Sequence, residues 1–312
     1  MSQDIKDVVK VVTRSAIGGQ VLSAIHLGKS HQVHEYSTVQ ELVNDAIAVP
    51  HQPTRPTLGR QECEPYNPEK DVDNIELGYL CIGINGHRTV TDANGISNTL
   101  PVEHKATDCG LYQIVPFVMK PIDNDLSDEQ RKKYRLRKVL QVNGVLYAAY
   151  YLRKLNTDEA PTSMVLNSVD KGKTTSNIWK PTISNLRPSK PTIGYENDAS
   201  FITIVSNVSV TFEEEDIENY LDAMDILFGN SNYAITELGY CTAVDKPIVR
   251  QYPQTGTQTP STAIGTRGLK EVVACQIAYF INTIIPVAVF NRKFTYTIDL
   301  GINEPLFTKN TP

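Results

Sequence analysis

The sequence has no surplus of basic charge: 30 Lys and Arg stand against 35 Asp and Glu, for a net charge of −5 over 312 residues. That excludes a protein whose whole surface seeks nucleic acid, so any basic site must be local. Cysteine is scarce. Cys63, Cys81, Cys109, Cys241 and Cys275 show no CxxC spacing, which excludes a disulfide scaffold and leads us to expect a reduced, intracellular setting. No long uninterrupted apolar run is present. Val272–Phe290 comes nearest, but Gln276, Asn282 and Pro286 break it, so it reads as a buried helix running into a loop or strand and not as a membrane span. The opening MSQDIKDVVKVV mixes acids and lysines into its apolar pattern and shows no small-residue cleavage site, which argues against a signal peptide. Internal repeats and low-complexity blocks are also missing.

Signatures of chemistry are equally sparse. GINGHR and AIGTRG hold paired glycines, yet neither makes a GxGxxG or GxxxxGK[ST] phosphate cradle, and both read as turns. There is no GxSxG elbow, and no cysteine lies in a nucleophile motif. His104 and Cys109 are five residues apart in VEHKATDCG, a base and a thiol that a polar loop need not bring together. The acids of Asp123–Glu129 lack the rhythm of a calcium loop and fit a helix N-terminus better. His26, His31 and His34 lie close together in HLGKSHQVHEY. Imidazoles are common metal ligands, but this spacing matches neither a zinc protease helix nor a finger, and exposed histidines at a helix end are the simpler expectation. The sequence therefore predicts a protein without enzymatic activity, cofactor, metal, membrane partner or small-molecule substrate.

What is present is an α+β pattern: mostly antiparallel sheets with a few helices, long extended arms and a prominent β-hairpin. Residues 1–49 read as helical, with Ile5, Val8, Val9 and Val12 on one stripe and Gly18-Gly19 as an interruption. A second short helix is predicted over Ser37–Val49. Residues 50–74 hold five prolines and read as an extended arm that marks a boundary. A β-rich domain is expected over 75–155, with strands at Glu76–Gly86 and Leu111–Pro121 and a short helix capped by Ser127 and Gln130. Residues 156–200 read as a long polar connection. A C-terminal α+β domain over 201–312 is expected to run strand (Ala199–Phe212), helix (Glu213–Asn230), strand (Asn232–Val244), loop (Asp245–Gly268), helix (Leu269–Ile285) and strand (Lys293–Gly301).

The most informative stretch is KKYRLRKVLQVNGVLYAAYYLRKL, Lys132–Leu155. Asn143-Gly144 between two strand-like runs is the strongest local hairpin signal. A type I′ turn there sets Val142 opposite Val145, Leu140 opposite Tyr147, Lys138 opposite Ala149 and Leu136 opposite Tyr151. On the other face Gln141 meets Leu146, Val139 meets Ala148, Arg137 meets Tyr150 and Arg135 meets Leu152. The charges gather at the open end and split over both faces, whereas a groove-reading ribbon would carry them on one. Tyr and Arg are enriched at interface centres. Tyr134, Arg135, Arg137, Lys138, Tyr147, Tyr150, Tyr151 and Arg153 are thus candidate protein-interface residues. Nucleic-acid contact by the same basic and aromatic side chains is the alternative, and an ordinary hairpin inside a domain the third reading.

LSDEQRKKYRLRKVLQVNGVLYAAYYLRKLN, LKEVVACQIAYFINTIIPVAVFNRKFTYTIDLGINEPLF and the proline-rich arm resemble virion structural proteins of large tailed bacteriophages. The resemblance implies a building block repeated around a ring or shell. That would be a neck, tail or baseplate component, or a capsid-associated protein, found in the virion and in the host cytoplasm during assembly. It implies copies of itself and other virion proteins as partners, and it carries over no active-site residue. An enzyme with an unrecognised site at the three histidines is a further alternative.

Overall fold

The computed structural model describes residues 3–4, 11–27, 29, 33–34, 61–63, 66–71, 74–157, 162–170, 173–186, 200–230, 233–251, 268–290 and 293–305. The chain begins with strands β1 (Gln3–Asp4) and β2 (Val11–Arg14), followed by helix α1 (Ala16–Leu27). Strands β3 (Gln61–Cys63), β4 (Glu76–Ile84), β5 (His87–Thr91), β6 (Ser97–Pro101), β7 (Gln113–Val115) and β8 (Val118–Pro121) lead to the single-turn α2 (Asp128–Arg131). Then come β9 (Tyr134–Val142), β10 (Val145–Lys154), β11 (Thr162–Asp170), β12 (Lys173–Ile178) and β13 (Phe201–Phe212). Helix α3 (Glu214–Phe228) precedes β14 (Ile235–Gln251), β15 (Lys270–Ile285) and β16 (Phe294–Pro305). The architecture is α+β and mostly antiparallel, as the sequence predicts.

Two compact units emerge, and neither is a consecutive block. One combines Met1–Leu155 with Phe212–Phe294, and the other combines Asn156–Thr211 with Thr295–Pro312. This departs from the expected domains at 75–155 and 201–312, because β4 and β14 are hydrogen-bonded neighbours, with Cys81 opposite Gly239. Hydrogen bonding across more than 150 residues leaves no trace in local composition.

The first unit is built on a nine-stranded sheet, β2-β15-β14-β4-β10-β8, to which β3, β7 and β9 add through β14, β4 and β10. All of its pairings are antiparallel. Its core is aromatic, with Tyr79, Tyr150, Tyr151, Tyr240, Phe280, Phe212 and Phe294 almost wholly buried. Phe212 and Phe294 stack at 4.7 Å.

Several expectations are corrected here. Leu269–Ile285 is not a helix but the 16-residue β15. It runs between β2 and β14, is buried on both faces, and so shows a continuous apolar run instead of alternation. Its Val, Ile, Tyr and Phe residues are strand formers. Of the predicted N-terminal helical stripe, Val12 lies in β2, whose Val11–Arg14 pair with Asn282–Tyr279 of β15, while Ile5, Val8 and Val9 lie outside the described residues. The helix starts only after Ser15, whose Oγ accepts from the Gly18 N–H at 2.9 Å and donates to the Ile277 carbonyl at 2.7 Å. Gly18-Gly19 lies inside α1 and does not break it. A Cβ on Gly18 would sit 2.2 Å from the Ala278 carbonyl oxygen, so its absence is what lets α1 lie on β15. The 50–74 arm is tied down at its end. β3 pairs with β14, and Asp71 binds Lys246 at 2.7 Å. The helix predicted over Ser37–Val49 lies outside the described residues. The expected loop Asp245–Gly268 starts as strand, since β14 runs on to Gln251.

The expected polar connection at 156–200 contains two strands, β11 and β12, among its described residues. β11 and β12 form a hairpin, Val165 opposite Ile178 through Asp170 opposite Lys173, inside a five-stranded sheet containing the run β16-β13-β11-β12. That sheet is the framework of the second unit. Its Ser and Thr side chains bond across strands, Ser209 to Thr297 and Thr211 to Thr295, so polar β-formers read as loop where burial is slight.

Candidate functional site

The Lys132–Leu155 hairpin forms with the predicted turn. Asn143 and Gly144 both take positive φ, 49° and 84°, and the register runs as expected from Val142–Val145 to Arg137–Tyr150. Beyond that a bulge at Tyr151 shifts it, so that Leu136 faces Leu152. The interface assignment is corrected by burial. Tyr134, Arg137, Tyr150 and Tyr151 lie within the unit's own core, and β10 is flanked by β4, β8 and β9. Arg135, Lys138, Tyr147 and Arg153 are part-exposed.

Most of the hairpin's charge is spent inside the unit. Arg137 binds Asp125 through Nη2 at 2.7 Å and Nε at 3.1 Å, and the Tyr150 hydroxyl donates to the other oxygen of Asp125 at 2.7 Å. Arg135 binds Asp245 at 3.1 Å. Asp216, buried at the start of α3, accepts from Lys133 at 2.5 Å and Arg153 at 3.1 Å. Burial alone would raise its carboxyl, but the Arg153 charge and the Lys133 hydrogen bond outweigh it and hold Asp216 below its ordinary value. Burial pushes the Tyr134, Tyr150 and Tyr151 hydroxyls up, so they stay neutral phenols.

His104 is the most elaborated buried polar group. Its Nε2 lies 2.9 Å from Glu237 Oε2 and its Nδ1 3.2 Å from Asp108 Oδ2. The ring is sandwiched between Tyr112 at 4.4 Å and Phe280 at 4.1 Å. Glu237, fully buried, also accepts from the Tyr112 and Gln113 backbone N–H groups. With its oxygens spent on backbone and imidazole, this carboxylate closes the loop between β6 and β7 onto β14. Cys109 turns away to the Thr107 carbonyl, so the His104–Cys109 pairing is not formed.

The remaining groups offer little reactivity. Cys81 and Cys241 lie 3.7 Å apart, fully buried with Cys275. The Cys241 hydrogen bond and burial raise the Cys81 thiol, and burial raises Cys241 and Cys275, which keeps all three as unreactive thiols. Glu271 lines a shallow cleft with Arg131, Arg135, Arg137 and Lys270. Burial pushes its carboxyl up to about 7, against the lowering effect of the Arg137 N–H and nearby charges. His34 meets Gln20 at 3.0 Å, while the side chains of His26 and His31 lie outside the described residues. Among the described residues, no three His, Cys, Asp or Glu are placed to hold a metal ion. None of the described helices is long and apolar enough to cross a membrane.

Two further surfaces stand out. β5 and β6 form a two-stranded ribbon of their own, exposed along its length. Asp92 Oδ1 closes its tip by accepting from the Asn94 and Ile96 N–H groups, with Gly95 at φ 81°. Val90, Ile96 and Leu100 are 40%, 58% and 43% exposed, and the two-residue alternation puts all three on one face. In the second unit, β12 is an outer strand exposed throughout and ends at Ile178; Ile183 and Leu186 follow, and all three are about three-quarters exposed. The signal for the ribbon was legible: Asp-Ala-Asn-Gly between HRTVT and ISNTLP is a turn between β-branched runs.

Comparison with known proteins gives a match between residues 63–312 and a family of unknown function, DUF7208. No curated protein and no solved structure matches the chain.

Proposed function

We propose that this chain, which belongs to the DUF7208 family, is a non-enzymatic structural subunit of a multi-protein assembly. The observation that carries this reading is the β5–β6 ribbon. An isolated two-stranded ribbon is marginal in water, yet this one presents Val90, Ile96 and Leu100 outward on one face. A neighbour that covers the face explains both its apolarity and its projection. The exposed β12 edge, ending at Ile178 with Ile183 and Leu186 beyond it, supports the same reading, since unpaired edges template contacts with other chains. The finer assignment, a neck, tail, baseplate or capsid-associated protein of a tailed phage, rests on the resemblance of Leu126–Asn156, Leu269–Phe307 and the proline-rich arm to such proteins. Nucleic-acid binding by the basic hairpin is disfavoured, because Arg135, Arg137 and Arg153 are engaged by Asp245, Asp125 and Asp216 and so are withdrawn from phosphates.

Sedimentation over a hundredfold range of protein concentration tests the reading. Reversible association is expected, and it should weaken when Thr89–Thr99 is replaced by a short Gly-Ser linker. A monomer at every concentration, with the ribbon resistant to proteolysis, overturns it.

A further inference from the structure

The ribbon's exposed face carries its own complement. Cross-strand register sets Arg88 opposite Leu100 and Val90 opposite Asn98, and the Asp92 N–H donates to the Ile96 carbonyl. One face therefore shows three rows: Arg88 and Leu100 at the base, Val90 and Asn98 in the middle, and Asp92 and Ile96 at the tip. The other face is His87, Thr89, Thr91, Ser97, Thr99 and Pro101. Arg88 and Asp92, some 13 Å apart along the strand, form no ion pair with the described residues.

Resting on the reading that the ribbon is a contact element, we propose that this face packs against the same face of a second copy of the chain across a twofold axis. The axis lies between the two ribbons, perpendicular to the strands, and passes through the middle row. Each base row then meets a tip row. Arg88 faces Asp92 of the partner subunit, Leu100 faces the partner's Ile96, and Val90 faces the partner's Val90. Asn98 faces the partner's Asn98, an amide that both donates and accepts. The other face-to-face twofold, along the strands, sets Arg88 over the partner's Leu100 and Asp92 over the partner's Ile96, burying both charges without a counter-ion. Charge position thus selects one orientation. A surface on which every charge and every aliphatic finds its complement in a rotated copy of itself meets the condition for an isologous contact. Three rows of a ribbon cover less than the roughly 1,000 Å² of a free-standing interface, so the contact is weak alone and acts with others in an assembly.

Crosslinking tests it. With Cys63 and Cys109 replaced by Ser, Val90→Cys is treated with a short bismaleimide, whose reach matches the about 10 Å between packed sheets. Thr89→Cys, on the opposite face, is the control. Val90→Cys should give at least about tenfold more linked dimer than Thr89→Cys. Adding Arg88→Glu, which sets like charges opposite each other, should cut that yield at least about tenfold. Equal or no crosslinking of the two variants, or a yield indifferent to Arg88→Glu, overturns the pairing. If the unsubstituted chain still associates in sedimentation, only the ribbon pairing has failed. A chain that is monomeric throughout and does not crosslink overturns the structural-subunit reading as well.

Discussion

At the scale of single residues, Glu271 and Asp216 are two buried carboxylates with opposite consequences. The Glu271 carboxyl rises from 4.5 to about 7, so the folded state holds a proton that the unfolded state releases over that window. Stability contributed this way is complete below about pH 4.5 and is lost as pH rises through 7. Glu271→Gln removes the penalty, and thermal melts should show it more stable than the parent by up to about 3 kcal/mol at pH 8, with no advantage at pH 4. Asp216 is shifted the other way, so its contribution is present above the ordinary carboxylate range and lost as pH falls through its depressed value. Asp216→Asn leaves Arg153 and Lys133 without a counter-charge. It should cost about 3 kcal/mol at pH 7, and the difference should shrink in melts taken to progressively lower pH. Neither behaviour was legible in the sequence. Arg135, Arg137 and Arg153 were readable as residue types suited to an interface, but Asp245, Asp125 and Asp216, which pair with them, lie 110, 12 and 63 positions away. Only the fold decides whether an Arg beside a Tyr looks outward or inward.

At the scale of elements, local chemistry was readable wherever it was strong. Asn143-Gly144 set a hairpin and Ser127 and Gln130 set a capping box, and Gly229 at φ 67° ends α3. Gly144→Ala, at φ 84°, should destabilise by about 1 kcal/mol, measured by denaturant titration. Gly18→Val tests the docking of α1. Its Cβ meets the Ala278 carbonyl at 2.2 Å, so hydrogen exchange should show α1 losing protection while β10 keeps its own. β15 shows no strand alternation in sequence because it is buried on both faces. What remained was an apolar run whose 3.6-residue matches were incidental.

At the scale of the whole molecule, the proposed structural role is tested by association. Replacing Thr89–Thr99 by a linker should weaken self-association in sedimentation while shifting the stability of the first unit by less than about 0.5 kcal/mol, because the ribbon is exposed along its length. The sequence by itself determined the α+β class, the hairpin turn, the short capped helix, the acidic-ended α3 and the absence of the familiar catalytic and phosphate-binding motifs. Each of these is written in neighbouring residues through capping, turn conformation or periodicity. The tertiary structure decided that 75–155 and 212–294 share one sheet, that the basic-aromatic hairpin belongs to the core, and that the exposed apolar face is on β5–β6. Those outcomes depend on strand pairing across more than a hundred residues. Pairing of that kind is selected by the burial of whole surfaces, and no local window of sequence contains it.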